Sequence, residues 1–317
     1  MRKANHTPKK GKLYVVATPI GNRDDITLRA LKILQQVDLI AAEDTRKSGR
    51  FLAHHGIKSR LVSYHEHNET KRTPQLVEKL LAGTSIALIS NAGTPSVSDP
   101  GFRLITAAIE HKIVVTPIPG VTAATAAMSV SGLSSDSFIF VGFAPKKKGK
   151  RIKFLTSMGN RSESLVFYES PKRIISLMED IIACLGDRYA MLAREMTKLH
   201  EEFIRGTLSQ ILNVIGSRST VKGECTLLVA GSDQSDEMDF QNVKTVLEAA
   251  LENETGSLSE IARQIAQEFG LPKKTVYDLA LEIRGQEKGD GSQRCRLRSV
   301  ELRRAKQKTE TREMNQK

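Results

Sequence analysis

Apolar runs that end in polar loops rich in glycine and proline constrain this chain most. Leu13 to Val16 leads into Thr18-Pro19-Ile20-Gly21-Asn22, and Ile86 to Ile89 into Ser90-Asn91-Ala92-Gly93-Thr94-Pro95. Ile113 to Val115 leads into Pro117-Ile118-Pro119-Gly120, and Leu165 to Phe167 merges into Phe167-Tyr168-Glu169-Ser170. Ala41-Ala42-Glu43-Asp44-Thr45-Arg46 closes a run that begins at Val37. Short runs with β-branched residues read as buried strands. Loops at the carboxyl ends of parallel strands are where α/β folds bind ligands. The pattern predicts an enzyme with a site built from strand-end loops.

Amphipathic segments separate the runs. Helices are predicted over Thr27–Gln36, Thr45–Gly56, Pro74–Leu81 and Gly101–His111, with a short strand at Leu61–Tyr64. This β-α alternation argues for a largely parallel sheet. A small-residue helix follows from Thr122 to about Val130, and then a second cycle. Its strands are Phe138–Val141, Leu165–Tyr168, Tyr189–Arg194 and Cys225–Ala230; its helices lie near Arg151–Met158, Pro171–Cys184 and Leu208–Ile215. The expected α/β organisation is a basic tail (1–12), an N-terminal α/β domain (13–120), a C-terminal α/β domain (121–232), a polar linker at Asp233–Asp239, a helical segment (244–285) and a disordered basic tail (286–317). In the helical segment Ser257-x-x-Glu260 is a capping-box signature. Ala266, Gly270 and Val276 have helix-turn-helix spacing, which sets Lys273, Lys274 and Tyr277 on or near the second helix's exposed face. Nucleic-acid contact and a helical hairpin packed on the body or a partner both fit that pattern.

At 317 residues two domains can each bury a core. The net charge of +12 is unevenly spread: residues 1–12 hold five basic and no acidic residues, and 146–153 hold six and none. Residues 286–317 hold ten basic and five acidic, so the body without these segments is slightly acidic. A near-neutral body with basic appendages is the footprint of a polyanion binder. Lys146, Lys147, Lys148, Lys150 and Arg151 are the expected nucleic-acid phosphate contacts. Cys184, Cys225 and Cys295 are too scattered for a zinc site or a disulfide scaffold. Neither a membrane-spanning run nor a signal peptide is evident, so a cytoplasmic protein is expected.

A nicotinamide fingerprint, a Walker A loop and a G-x-S-x-G elbow are all absent. His65-Glu66-His67 would point its side chains to opposite faces if extended, and no metal is expected. Ala92–Ser98 and Pro117–Thr122 remain, loops that let backbone groups approach a ligand. Neither is basic, so the expected ligand is polar with little phosphate.

In order, ATPIGN, DLIAAEDTR, SNAGTPSVSDPG, PIPGVTAATAAM, GFAPKKKGKR, VFYESPKR and AREMTK closely resemble the ribosomal RNA small subunit methyltransferase I family, of the tetrapyrrole-methylase class of S-adenosylmethionine enzymes. The resemblance covers roughly Leu13 to Ala230, and the helical segment to about Arg284 also looks alike. It implies two α/β domains of that class, with S-adenosylmethionine in the cleft between them. It also implies a homodimer that 2′-O-methylates a cytidine in the decoding region of 16S ribosomal RNA, in the small ribosomal subunit. The family usually has Asp at the place of Asn91, and the tail after Gly285 is unusually long. On this reading Pro19, Gly21, Asn22, Asn91, Ala92, Gly93, Thr94, Pro95, Gly120, Thr122 and Ala123 hold the cofactor. Methyl transfer to a hydroxyl needs a base. Glu43 or Asp44 is the favoured one, with Arg46 steering a phosphate. Glu169 and Glu195 are further acidic candidates, and Tyr168 could stack on a flipped base. Arg46 and Arg194 could instead hold these carboxylates in ion pairs. A tetrapyrrole or translation-factor methylase of the same fold stays open, as does a non-catalytic RNA-binding assembly protein.

Overall fold

A computed structural model describes residues 10–232, 243–251, 257–269 and 273–286. The Asp233–Asp239 linker, Gly270 and nearly all of both basic tails lie outside the described residues. Lys12 is not part of a tail but opens the first strand.

The first sheet holds β1 (Lys12–Val16), β2 (Leu39–Ala42), β3 (Leu61–Ser63), β4 (Ile86–Ile89) and β5 (Val114–Ile118), in the order β3-β2-β4-β1-β5. Every pairing is parallel, as expected. β4 is buried along its whole length, which is why its sequence is uninterruptedly apolar. Its successive side chains alternate between faces. Ala87 and Ile89 meet α1 (Leu28–Gln36) and α2 (Thr45–His54) through Leu34 and Leu52. Ile86 and Leu88 meet α3 (Glu69–Leu81) and α4 (Phe102–Glu110) through Leu76, Leu80 and Leu104. α3 begins a turn before the expected Pro74. The Thr73 hydroxyl donates to the Glu69 carbonyl at 2.7 Å and helps hold that extra turn. The chain leaves β1 toward β2 and leaves β4 in the opposite direction toward β5. Such a reversal opens a crevice at the strands' carboxyl ends.

The second sheet holds β6 (Phe138–Phe143), β7 (Ser164–Glu169), β8 (Tyr189–Arg194), β9 (Glu202–Thr207) and β10 (Cys225–Val229), in the order β6-β7-β10-β8-β9. Here the expectation of a second parallel cycle is corrected. β6 and β7 are parallel, but β10 runs antiparallel to β7 and β8, and β9 antiparallel to β8. The connection over 195–201 has no helix and is too short for a parallel crossover. One face packs on α6 (Lys148–Thr156), α7 (Ile174–Leu185) and α8 (Leu208–Gly216) through Leu155, Leu177 and Ile211. The other packs on α5 (Ala123–Ser129): Ala124, Ala127 and Met128 meet Val166, Met191 and Leu228, together with Ile20 from the loop after β1. The residues up to Ser232 thus form one compact unit.

The second unit is helical, with α9 (243–251), α10 (Leu258–Glu268) and α11 (Lys273–Gln286). Ser257 and Glu260 form the capping box in full. Ala266 and Val276 are buried with Ile261, Ile265 and Ala280, while Lys273 and Lys274 are exposed.

Candidate active site

Two strand-end loops clasp each other at the switch point. The Thr18 N–H donates to the Gly93 carbonyl at 2.8 Å, and the Gly93 N–H to the Thr18 carbonyl at 2.9 Å. Gly93 sits at φ +76°, a conformation that disfavours any side chain. A Cβ there would lie 3.6 Å from Ile20 and 3.8 Å from the Val121 carbonyl. Its absence leaves open a cradle between the loops after β1, β4 and β5. Thr94 Oγ1 donates to the Val121 carbonyl at 3.5 Å, and Pro95 is buried beneath. Thr122 caps α5, so Ala123 begins that helix, and Gly120 packs against Ala17. Pro19, Gly21 and Asn91 line a cleft of about 170 Å³ on the α2 side of the clasp.

The 195–201 segment, in which sequence reasoning singled out only Glu195, reaches this site through Thr197 and Lys198. Thr197 Oγ1 accepts from the Asn22 N–H at 2.9 Å. A Cβ on Gly21 would come within 2.6 Å of both Thr197 Oγ1 and Lys198. Glu195 and Thr197 are non-glycine residues at φ +52° and +65°, strain of the kind stored at functional sites. Lys198 pins the turn through 2.8 Å bridges to Glu195 and Glu224. Its hydrogen bond holds the Glu195 carboxyl below the usual range, which makes Glu195 a weak base. Arg194 pairs with Glu202 rather than with a site carboxylate.

The expected acids separate by environment. Glu43, after β2, accepts the Asn91 N–H at 3.0 Å on Oε2. Asp44 is the N-cap of α2, accepting the N–H groups of Arg46 and Lys47, which hold its carboxyl below the usual range. It caps that helix through Oδ1. Glu169 is corrected. Its side chain is 1 % exposed, paired with Arg173 at 2.9 Å and bonded to the Ser170 N–H at 2.7 Å. A buried, paired carboxylate of this kind holds the β7–α7 corner. The acid that sequence reasoning missed is Asp99, within the SNAGTPSVSDPG loop. Burial pushes its carboxyl up and the Glu43 charge adds to this. A hydrogen bond from Ser90 partly offsets them and Glu224 contributes a little, leaving it at about 6. A signal existed, an acid inside an already suspect loop, but nothing in the sequence marked it as buried.

The basic candidates separate too. Lys146, Lys147, Lys148 and Lys150 are exposed around the start of α6. Arg151 is withdrawn from the RNA set, because its side chain is 6 % exposed and its guanidinium meets Asp180 at 2.5 Å. Arg46 is exposed, one residue before Lys47, which lines the cleft. The Tyr168 hydroxyl accepts the Ala124 N–H at 3.0 Å, and its ring meets Phe140 and Phe143 edge-on. Tyr168 therefore ties the start of α5 to the second sheet. His65 and His67 flank a turn, and their rings lie 6.0 Å apart instead of on opposite faces. Among the described residues no three His, Cys, Asp or Glu side chains are grouped to hold a metal.

A switch-point crevice over a parallel sheet, a mixed second sheet and a glycine cradle free of charge define a class, the tetrapyrrole-methylase type of methyltransferase. The family of Tetrapyrrole (Corrin/Porphyrin) Methylases matches residues 12–212. The methyltransferase CobJ superimposes with a TM-score of 0.54 at 18 % identity, over 70 % of this chain and 95 % of that one. A Thermus thermophilus uroporphyrin-III C-methyl transferase complexed with S-adenyl homocysteine gives 0.50 at 18 %, over 69 % and 97 %. Ribosomal RNA small subunit methyltransferase I of Haemophilus influenzae is 44 % identical over 87 % of this chain and 98 % of its own. The protein of that name from Halalkalibacterium halodurans is 41 % identical over 85 % and 94 %. The chain belongs to the ribosomal RNA small subunit methyltransferase I family. It is a methyltransferase, and its cofactor is S-adenosylmethionine.

Proposed function

We propose that this enzyme methylates the ribose 2′-hydroxyl of a cytidine in the decoding region of 16S ribosomal RNA, cytidine 1402 in the usual numbering. The observation that carries the reading is the likeness over most of the chain to relatives named for the small-subunit RNA. The exposed lysines at the start of α6 and on α11 support a polyanionic substrate. Among the described residues no helix is long and apolar enough to cross a membrane. The resemblance also implies a homodimer, which sedimentation of the purified chain tests.

The uncharged cradle of Gly93, Ile20 and Val121 fits a cofactor held by backbone and apolar groups. Pro19, Gly21, Asn22, Asn91, Ala92, Thr94, Pro95, Gly120, Thr122 and Ala123 are the other residues proposed to hold it. When bound, S-adenosylmethionine supplies a methyl group activated by the positive sulfur. The chain's own task is then to orient the ribose and receive its proton. Asp99 is the proposed base: it stands in the loop after β4, close enough for the Glu43 charge to act on its carboxyl, and burial with that charge raises it to about 6. Glu43 positions it, fixing the loop after β4 through the Asn91 N–H and raising the basicity of Asp99 by its charge.

Ribose methylation is mapped in 16S RNA from a strain lacking the gene, with and without the gene restored. Loss of one cytidine 2′-O-methyl group, regained on restoration, is the expected result. An unchanged map overturns the reading.

A further inference from the structure

Two clefts share a wall on the α2 side of the first sheet. The inner one, of about 170 Å³, runs from Thr18 and Gly21 to Ser90 and Asn91. The outer one, of about 300 Å³, is lined by Arg23, Lys47, Arg50 and Phe51. Arg23, Lys47 and Phe51 line both, and no acidic side chain lines either. Arg23, Lys47 and Arg50 are exposed. Among the described residues no carboxylate pairs with any of the three, and Arg23 meets the His54 ring at 3.3 Å. The nearby acids are otherwise placed. Asp44 is turned onto the backbone of α2, while Asp24 and Asp25 sit in the short helix beyond Asn22. Phe51 is half-buried, its ring edge-on to His55 at 4.8 Å.

We propose that the outer cleft binds the single-stranded RNA segment next to the target nucleotide. Arg23, Lys47 and Arg50 hold its phosphates and Phe51 offers a ring for a base. Three cations without acids form a site for a polyanion, and an aromatic floor suits a stacked base rather than a bare phosphate ion. The shared wall joins this strand to the inner cleft, whose Asn91 N–H is held by Glu43. The α2 cations thus have a task separate from the lysines of α6. This rests on the reading of the enzyme as an RNA methyltransferase.

The test compares the wild type, the triple variant Arg23→Gln/Lys47→Gln/Arg50→Gln and Phe51→Leu. The probe is a fluorescent single-stranded RNA of decoding-region sequence, followed by anisotropy over a salt series. Each phosphate that is no longer neutralised should lower the slope of log affinity against log salt by about 0.7, so the triple variant should lose about 2. Phe51→Leu should weaken binding by about tenfold with its slope unchanged. Circular dichroism and thermal melting should match the wild type in every variant, which shows that each is folded. A wild type that methylates small subunits and binds the RNA, with the triple variant matching its slope, overturns the cleft assignment alone. A wild type that does neither overturns the RNA reading, and the cleft assignment with it.

Discussion

Asp99 carries the sharpest consequence at the scale of a residue. A base with its carboxyl near 6 loses its free form as pH falls through that value. Single-turnover methylation, with RNA and cofactor saturating, should therefore decline on the acid side of about pH 6. Asp99→Asn should abolish that limb and slow transfer by about 10²- to 10⁴-fold, the usual worth of a general base. Glu43→Gln should leave the limb but move it to lower pH, because the Glu43 charge is one of the causes raising Asp99. If Asp99→Asn keeps the wild-type rate and profile, the proton goes elsewhere. The sequence singled out the strand-end loops that the structure brings together through Thr18 and Gly93. It could not rank the acids within them. Glu43, Asp44, Asp99 and Glu169 are equal as letters in a sequence. What separates them is a cap on α2, the burial of Glu169 beside Arg173, and the desolvation of Asp99 next to Ser90 and Glu43, all products of folding.

Elements repeat that lesson with strands and helices. β4 and β10 were legible because both faces of each are buried and every side chain is apolar or small. β9 was not. It is an edge strand, mostly half-exposed, and its sequence EFIRGT has no apolar run. Without it the antiparallel character of the second sheet could not be inferred. Charged anchors hold this edge instead. Glu202 accepts from Arg218 at 2.6 Å and from Arg194 at 2.9 Å, which lowers its carboxyl from 4.5 to about 2. A carboxyl depressed on folding stabilises the native state above its unfolded value. That contribution fades as pH falls from about 4.5 toward 2. Glu202→Gln should therefore lower the melting temperature at pH 7 and change it little near pH 2.5, with the difference closing between. A uniform shift at all pH values would mean that packing, not charge, is removed. Arg151 presents the same contrast in α6. It stands in a run of exposed lysines yet turns inward to Asp180 on α7. Arg151→Ala would strand a buried carboxylate, and removing one partner of such a pair costs about 3–5 kcal/mol. Urea denaturation should show that loss, whereas Lys150→Ala, whose side chain is exposed, should fall within about 0.5 kcal/mol of wild type. Equal midpoints for the two variants would refute the assignment.

Over the whole molecule, charge and fold are divided. The folded body supplies the cradle and the acids, and much of the positive charge lies on its periphery. Lys146, Lys147, Lys148 and Lys150 crowd the start of α6, on the second sheet's helical face. None of the first three is needed to form that helix, because its buried contacts are Arg151 and Leu155. Only Lys148 approaches an acid, Asp180 at 3.9 Å, and at 78 % exposure that pair is worth little. The division was legible in the sequence as a neutral body with basic segments, because net charge needs no fold to be counted. Which basic residues face solvent was not, as Arg151 shows. These lysines are therefore free to meet phosphates, and exchanging all four for glutamine should leave folding intact. RNA binding should weaken and its salt slope should shrink by about 0.7 for each phosphate left without its lysine, up to about 3. Cofactor affinity should not move if the cofactor sits at the proposed Gly93 cradle. Anisotropy across a salt series, run beside calorimetry with S-adenosylmethionine, separates the two. If the quadruple variant keeps the wild-type slope, these lysines are merely solvated, and the phosphates are held on other faces of the molecule.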